Sequence, residues 1–130
     1  MSLLKICKLY TLNFVLLFGA TALTTGQVSA APGLAIFDGF VGYDSVKASM
    51  LDAAKSEVDL VLSSKVTSGD LNNMCVIYAL GENFAAAELS CSDAISKARE
   101  ENVSRMTLRT MKSNLKIVSQ YLLDSSSAAD

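Results

Sequence analysis

Few residues in this chain of 130 could do chemistry, and the types that are missing narrow the field further. There is no histidine and no tryptophan, and the cysteines are three: Cys7, Cys75 and Cys91. Without histidine there is no Ser-His-Asp triad, no Cys-His dyad and no imidazole zinc site. Three cysteines, one of them near the N-terminus, do not make a four-thiolate site, and no metal or cofactor is expected. Cys75 and Cys91 lack the C-x-x-C spacing of a redox pair. Two readings remain open for them. They bridge, if their Cα atoms lie within about 7 Å, or they are two small hydrophobes in close-packed slots. Asp52, Glu57 and Asp59, and the pair Glu100 and Glu101, could be called paired carboxylates. With no metal partner in sight they read as solvated surface.

Two further patterns involve cations. Ser113-Asn114-Leu115-Lys116 has the Ser-x-x-Lys spacing of penicillin-recognising enzymes, but the chain is far too short for that fold and the accompanying motifs are missing. Arg105, Arg109, Lys112 and Lys116 recur at intervals of four, three and four, so on a helix over 103–122 they form one basic stripe. No acid occurs between Glu101 and Asp124. Such a stripe suits an acidic partner or anionic lipid headgroups, or it is an ordinary solvated face. Asn102-Val103-Ser104 is a glycosylation sequon. The chain as a whole has 11 basic and 13 acidic residues, a net charge of −2. That balance argues against general nucleic-acid binding.

The N-terminus reads as an export signal. Lys5 and Lys8 precede an apolar run, Leu12 to Leu23, that is shorter than the roughly 20 residues of a membrane span. Val28-Ser29-Ala30 supplies the small residues of a cleavage site. The expected organisation is a signal peptide over 1–30 and one domain over 31–130. The mature domain holds nine basic and thirteen acidic residues, net −4. It would be periplasmic or secreted, in a compartment that permits disulfides.

The mature sequence reads as all-α. No stretch alternates apolar and polar residues long enough for a strand. Leu51, Ala54, Val58, Val61 and Leu62 form an apolar stripe on a helix over about 46–63. Thr67-Ser68-Gly69-Asp70 is a turn with Asp70 as N-cap. A second helix covers 71–80 with Leu71, Met74, Cys75 and Tyr78 inward. Gly81-Glu82-Asn83 stops it, and a third helix runs over 84–98 with Phe84, Ala87, Cys91, Ala94 and Ile95 inward. The short link makes these two an antiparallel hairpin.

The chain also matches itself at an offset of 33 residues. Leu51 falls on Phe84, Ala54 on Ala87, Val58 on Cys91, Val61 on Ala94 and Leu62 on Ile95. Leu71-x₂-Met74-Cys75-x₂-Tyr78, followed by Phe84, Ala87-x₃-Cys91 and Ala94, resembles the tetratricopeptide repeat, whose pattern is W-x₂-L-G-x₂-Y and then A-x₃-F. Tyr78, Ala87 and Ala94 match outright. Leu71 stands in the Trp slot, Cys75 in the Gly slot and Cys91 in the aromatic slot. The resemblance covers units at about 36–65 and 69–98, with a partial unit over 113–130. It implies a short α-solenoid of stacked hairpins whose first helices line a binding groove. Carried onto this chain, that groove is Tyr43 and Val46, then Asn72, Val76 and Ala79, then Ser113, Ile117 and Gln120. A plain helical bundle is the competing architecture.

The function these readings imply is protein–protein interaction, as an exported adaptor without catalysis, with a protein or peptide partner and no nucleic acid. The alternative is a secreted bundle that binds a small apolar ligand or an anionic membrane surface. The incomplete last unit also allows a homo-oligomer.

Overall fold

The computed structural model describes residues 33–128, and all its regular elements are helices. They are α1 (Tyr43–Lys47), α2 (Leu51–Val61), α3 (Ser68–Leu80), α4 (Phe84–Glu100) and α5 (Arg105–Ser127). The expected signal peptide, with Lys5, Cys7, Lys8 and the cleavage point at Ala30, lies outside the described residues.

Helix α3 is the axis of the molecule. Its sequence, SGDLNNMCVIYAL, carries one charged residue, Asp70, and nine of its 13 positions are buried. A helix that is apolar nearly all round must be covered on every side. Helix α4 covers one face through the antiparallel hairpin, α5 packs on α4 and on α3, and α2 packs on α3 with α1 beside it. Three apolar clusters follow from this. Val41, Ala54, Val58, Met74 and Ile77 fill the space under α1 and α2. Cys75, Ala79, Ala87, Cys91 and Val118 lie between α3, α4 and α5. Ala94, Ile95, Ala98 and Met111 join α4 to α5. Small residues dominate the α3–α4 seam, so those two helices approach closely and bury little-branched side chains at high density.

Several boundaries differ from those read off the sequence. The helix expected over 46–63 is two helices. Ser49 adopts a left-handed conformation (φ 60°), and Met50 N–H closes the turn on Ser45 O at 2.8 Å. The stripe expected on it is buried at Ala54 and Val58, but Leu62 is 54% exposed because it falls past the last turn. Helix α3 starts at Ser68 with Thr67 as N-cap, not at Asp70. Asp70 is instead the third helical residue of a capping box: its backbone N–H donates to Thr67 Oγ1, and its carboxylate accepts from Thr67 N–H. That arrangement satisfies two helix-end donors at once. Helix α5 begins at Arg105, so Ser113, taken as the start of a last unit, sits mid-helix.

Helices α1, α3 and α4 all end the same way, with Ser49, Glu82 and Asn102 at positive φ. Asn83 N–H reaches Tyr78 O at 2.9 Å and Val103 N–H reaches Ala98 O at 3.1 Å, the six-to-one closure of a Schellman turn. The left-handed position after α3 is Glu82, whereas the neighbouring Gly81 has an ordinary φ of −86°. A left-handed L-residue costs roughly 1–2 kcal/mol, partly offset for glycine by its unfolded-state entropy. Glu82→Gly should therefore stabilise the fold by about 0.5–1 kcal/mol, read as a higher urea midpoint with an unchanged slope.

Candidate functional site

The feature that organises this molecule is a non-helical strap, residues 34–42, held against α3 and α5, irregular over 34–37 and turning over 38–42. Backbone that leaves water must find hydrogen-bond partners, and this stretch has no neighbouring strand to supply them. Three fully buried side chains do so instead: Asn72 and Asn73 on α3, and Asn114 on α5. Ala35 N–H donates to Asn114 Oδ1 at 2.9 Å, and Ala35 O accepts from Asn114 Nδ2 at 2.8 Å and Asn72 Nδ2 at 3.0 Å. Two residues on, Phe37 N–H donates to Asn73 Oδ1 at 2.8 Å, and Phe37 O accepts from Asn73 Nδ2 at the same distance. The second Asn73 Nδ2 proton goes to Val41 O at 3.1 Å. Asn114 Nδ2 also donates to Asn72 Oδ1 at 2.9 Å, which locks α5 to α3. Among the described residues no buried side-chain N or O atom lacks a partner.

Two carboxylates finish the strap. Val41 N–H donates to Asp70 Oδ1 at 3.1 Å, and Gly42 N–H to Glu57 Oε2 at 3.0 Å. Glu57 also accepts from Ser45 Oγ, so it serves the N-terminus of α1. Glu101 does the same for α3, accepting from Ser68 Oγ at 2.6 Å and Ser68 N–H at 3.2 Å. Glu57 and Glu101 thus make structural hydrogen bonds at helix starts, where negative charge is favoured; Glu57 is half-buried and departs from the expected solvated surface, whereas Glu101, like Asp52, Asp59 and Glu100, is exposed. Gly69 lies under the Phe40 ring, and a Cβ there would run into the ring.

The groove residues of the repeat pattern are not brought onto one open face. Asn72, Val76 and Ala79 are buried at 0%, 3% and 3% exposure. Asn72 is spent on Ala35, and Ala79 lies in the cluster onto which Leu34 packs. Part of the groove is thus closed by the chain's own N-terminal segment. Tyr43 and Val46 are half-buried on α1, which packs on α2. Ser113, Ile117 and Gln120 do come together on α5. With Lys116, Tyr121 and Asp124 they line a groove of about 550 Å³. Tyr121 is held there by stacking on Phe84, with centroids 5.4 Å apart. Gly33, just before the strap, comes close to Ile117 at the edge of this face.

The four basic residues share one side of α5, and all are exposed. Met111, Asn114 and Val118 occupy the buried side. The line from Arg105 to Lys116 covers about 16 Å at 1.5 Å per residue. Among the described residues none of these four cations is in an ion pair. The two pairs present, Lys55–Asp52 and Lys97–Glu100, are local to α2 and α4. Met106, at 79% exposure, and Leu123, at 64%, add apolar surface to the same helix.

Cys75 and Cys91 form a disulfide, with Cα atoms 5.1 Å apart, across the α3–α4 hairpin. This decides between the two readings left open above. No group of three or more potential metal ligands occurs among the described residues, and Ser113 and Lys116 stand exposed on α5. No described helix is long and apolar enough to cross a membrane. No known protein family, curated protein or solved structure matches the chain.

The residues that sequence reasoning missed are Asn73, Asn114 and Glu57. One signal was present: two adjacent asparagines in the middle of an otherwise apolar helix demand buried partners. Asn114→Ala removes one acceptor and two donors at once. It should cost on the order of 3 kcal/mol in urea unfolding, whereas Lys112→Ala on the exposed side should be near neutral. Unreduced protein should be two hydrogens lighter than reduced protein, and reduction should cost roughly 3 kcal/mol in the chain-entropy account.

Proposed function

We propose that this chain is an exported protein-interaction module of tetratricopeptide-like helical hairpins, without catalysis of its own, and that it docks an acidic protein partner along α5. The observation that carries the reading is the exposed cationic line Arg105, Arg109, Lys112 and Lys116 on the longest helix. The rest of the mature chain holds thirteen acids and five bases. Like charges repel, so a segregated basic face on an acidic protein selects and steers acidic partners.

The repeat assignment is supported by the α3–α4 hairpin, in which the small residues Cys75, Ala87 and Cys91 are all buried at the seam. The α1–α2 pair ahead of it agrees with a shorter first unit. Export is supported by the signal-like pattern of residues 1–30 and by the Cys75–Cys91 bridge, a bond at home in oxidising compartments. The groove beside the basic line supplies apolar and hydrogen-bonding contacts through Ile117, Tyr121 and Gln120. An apolar peptide lying in a three-helix groove, the mode implied by the repeat pattern, is the weaker option because Val76 and Ala79 are buried. The partner in this reading is therefore selected by charge first.

An anionic membrane surface is the second reading, favoured by the exposed Met106 and Leu123 on the same helix. One pair of experiments separates the two. The mature chain, 31–130, is used as bait in cross-linking capture from the cell envelope beside the double variant Arg109→Glu/Lys112→Glu. These side chains are exposed, so helicity should not change. A specific partner should be lost by at least about tenfold on charge reversal and weakened by salt. Capture that survives the reversal defeats the α5 assignment. Flotation with phosphatidylglycerol vesicles, lost in the same variant, with no protein captured, would transfer the face to the membrane reading.

A further inference from the structure

We propose that the asparagine ladder is a binding site for extended polypeptide backbone, filled in cis by residues 34–42 and able to take the same segment of a second copy in trans. The contacts that hold the strap are of a kind that reads backbone. The three asparagines give it six hydrogen bonds, every one to a main-chain N–H or C=O. At Ala35 and Phe37, two residues apart, the ladder takes both the donor and the acceptor. This is the pattern by which a sheet edge captures an added strand, built here from carboxamide side chains on two helices. Specificity comes from two anchors. Leu34 packs on the Ala79–Val118 cluster and Phe37 on the Ala98–Met111 cluster.

The occupant is held at its ends in a way that permits exchange. Leu34 to Phe37 are only half-buried, and Asp38 to Phe40 are exposed. Segments with few buried contacts open locally, without unfolding the rest. Gly39 and Gly42, at φ 79° and 71°, bracket the turn that ends the strap just ahead of α1, and glycines at positive φ suit a hinge. The α3–α4 hairpin is cross-linked by Cys75–Cys91 and does not depend on the strap for its closure. An opened strap breaks all six of these bonds and leaves the ladder only its Asn114–Asn72 contact, and an identical strap from a second molecule restores every bond. Exchange of an identical element is the route of domain swapping.

The strap competes with any peptide in trans at the high effective concentration of a short tether, so the test weakens the tethered copy. The probe is a labelled synthetic peptide of residues 33–42, titrated into full-length mature protein and into its Phe37→Ala variant. The variant's strap loses its anchor, while the peptide keeps it. Binding should be at least about tenfold tighter to the variant than to the parent. A peptide N-methylated at the Phe37 nitrogen should lose about tenfold, since only the backbone donor has changed. Equal or absent binding to both proteins, with far-ultraviolet circular dichroism showing the variant helical, overturns the proposal. Should Phe37→Ala not fold, native-state hydrogen exchange on the parent decides. Ala35 and Phe37 amides should exchange at least about 100-fold faster than those of α3 and α4 around the disulfide. Equal rates would mean that the strap opens only with the whole domain, and the site could not exchange.

Discussion

An extended backbone packed on helices is short of hydrogen bonds, and this molecule is organised around meeting that shortage. A strand borrows partners from its neighbour, and a helix from its own next turn. Residues 34–37 do neither. Their partners are side chains planted on α3 and α5, so those helices must be held at one relative height and rotation for the bonds to form. The link between Asn114 and Asn72 states the requirement directly, since the amides that bind Ala35 also bind each other. Each carboxamide is fully buried, so a misplaced one would be left unpaired in an apolar surround, at a cost of about 1–3 kcal/mol each. The strap therefore does more than cover the core. It selects a single packing of α5 against α3, where apolar contacts alone would tolerate sliding by a turn.

The same constraint explains which parts of the molecule were legible from sequence. Helices α3 and α4, and their hairpin, follow from apolar spacing and from the Gly81–Asn83 break, because local period and local stops determine them. The helical reading of 103–122 and its basic stripe survive for the same reason. The split between α1 and α2 was not legible: it depends on Ser49 in a left-handed conformation, and serine carries no strong signal for that. The strap was the least legible element. Ala35 and its partner Asn114 are 79 residues apart, and an extended segment bonded on one side by scattered side chains leaves neither a period of 2 nor one of 3.6. Asn72 was singled out as a contact residue on the strength of the repeat pattern. It is one, but the chain it contacts is its own.

Burial of Asn72, Val76 and Ala79 changes what the helical-hairpin pattern can mean for binding. In a solenoid the first helices of successive units must leave a common face open. Here α3 is too apolar to leave any face open. A 13-residue helix with one charge would expose a long hydrophobic strip if the groove were vacant, and such strips on small proteins invite association. Covering the strip with a tethered segment removes that hazard.

Charge then separates the two faces of α5. Its inward side, Met111, Asn114 and Val118, serves packing and the strap, and tolerates no charge. Its outward side concentrates four of the chain's 11 basic residues within three turns. Four like charges at this spacing repel one another and weaken the isolated helix by a few tenths of a kcal/mol per neighbouring pair. No acid on the helix between Arg105 and Lys116 relieves that repulsion. Packing on α3 and α4 holds the helix in spite of it, so the stripe is not a stability device. The inward contacts of Met111, Asn114 and Val118 carry that cost.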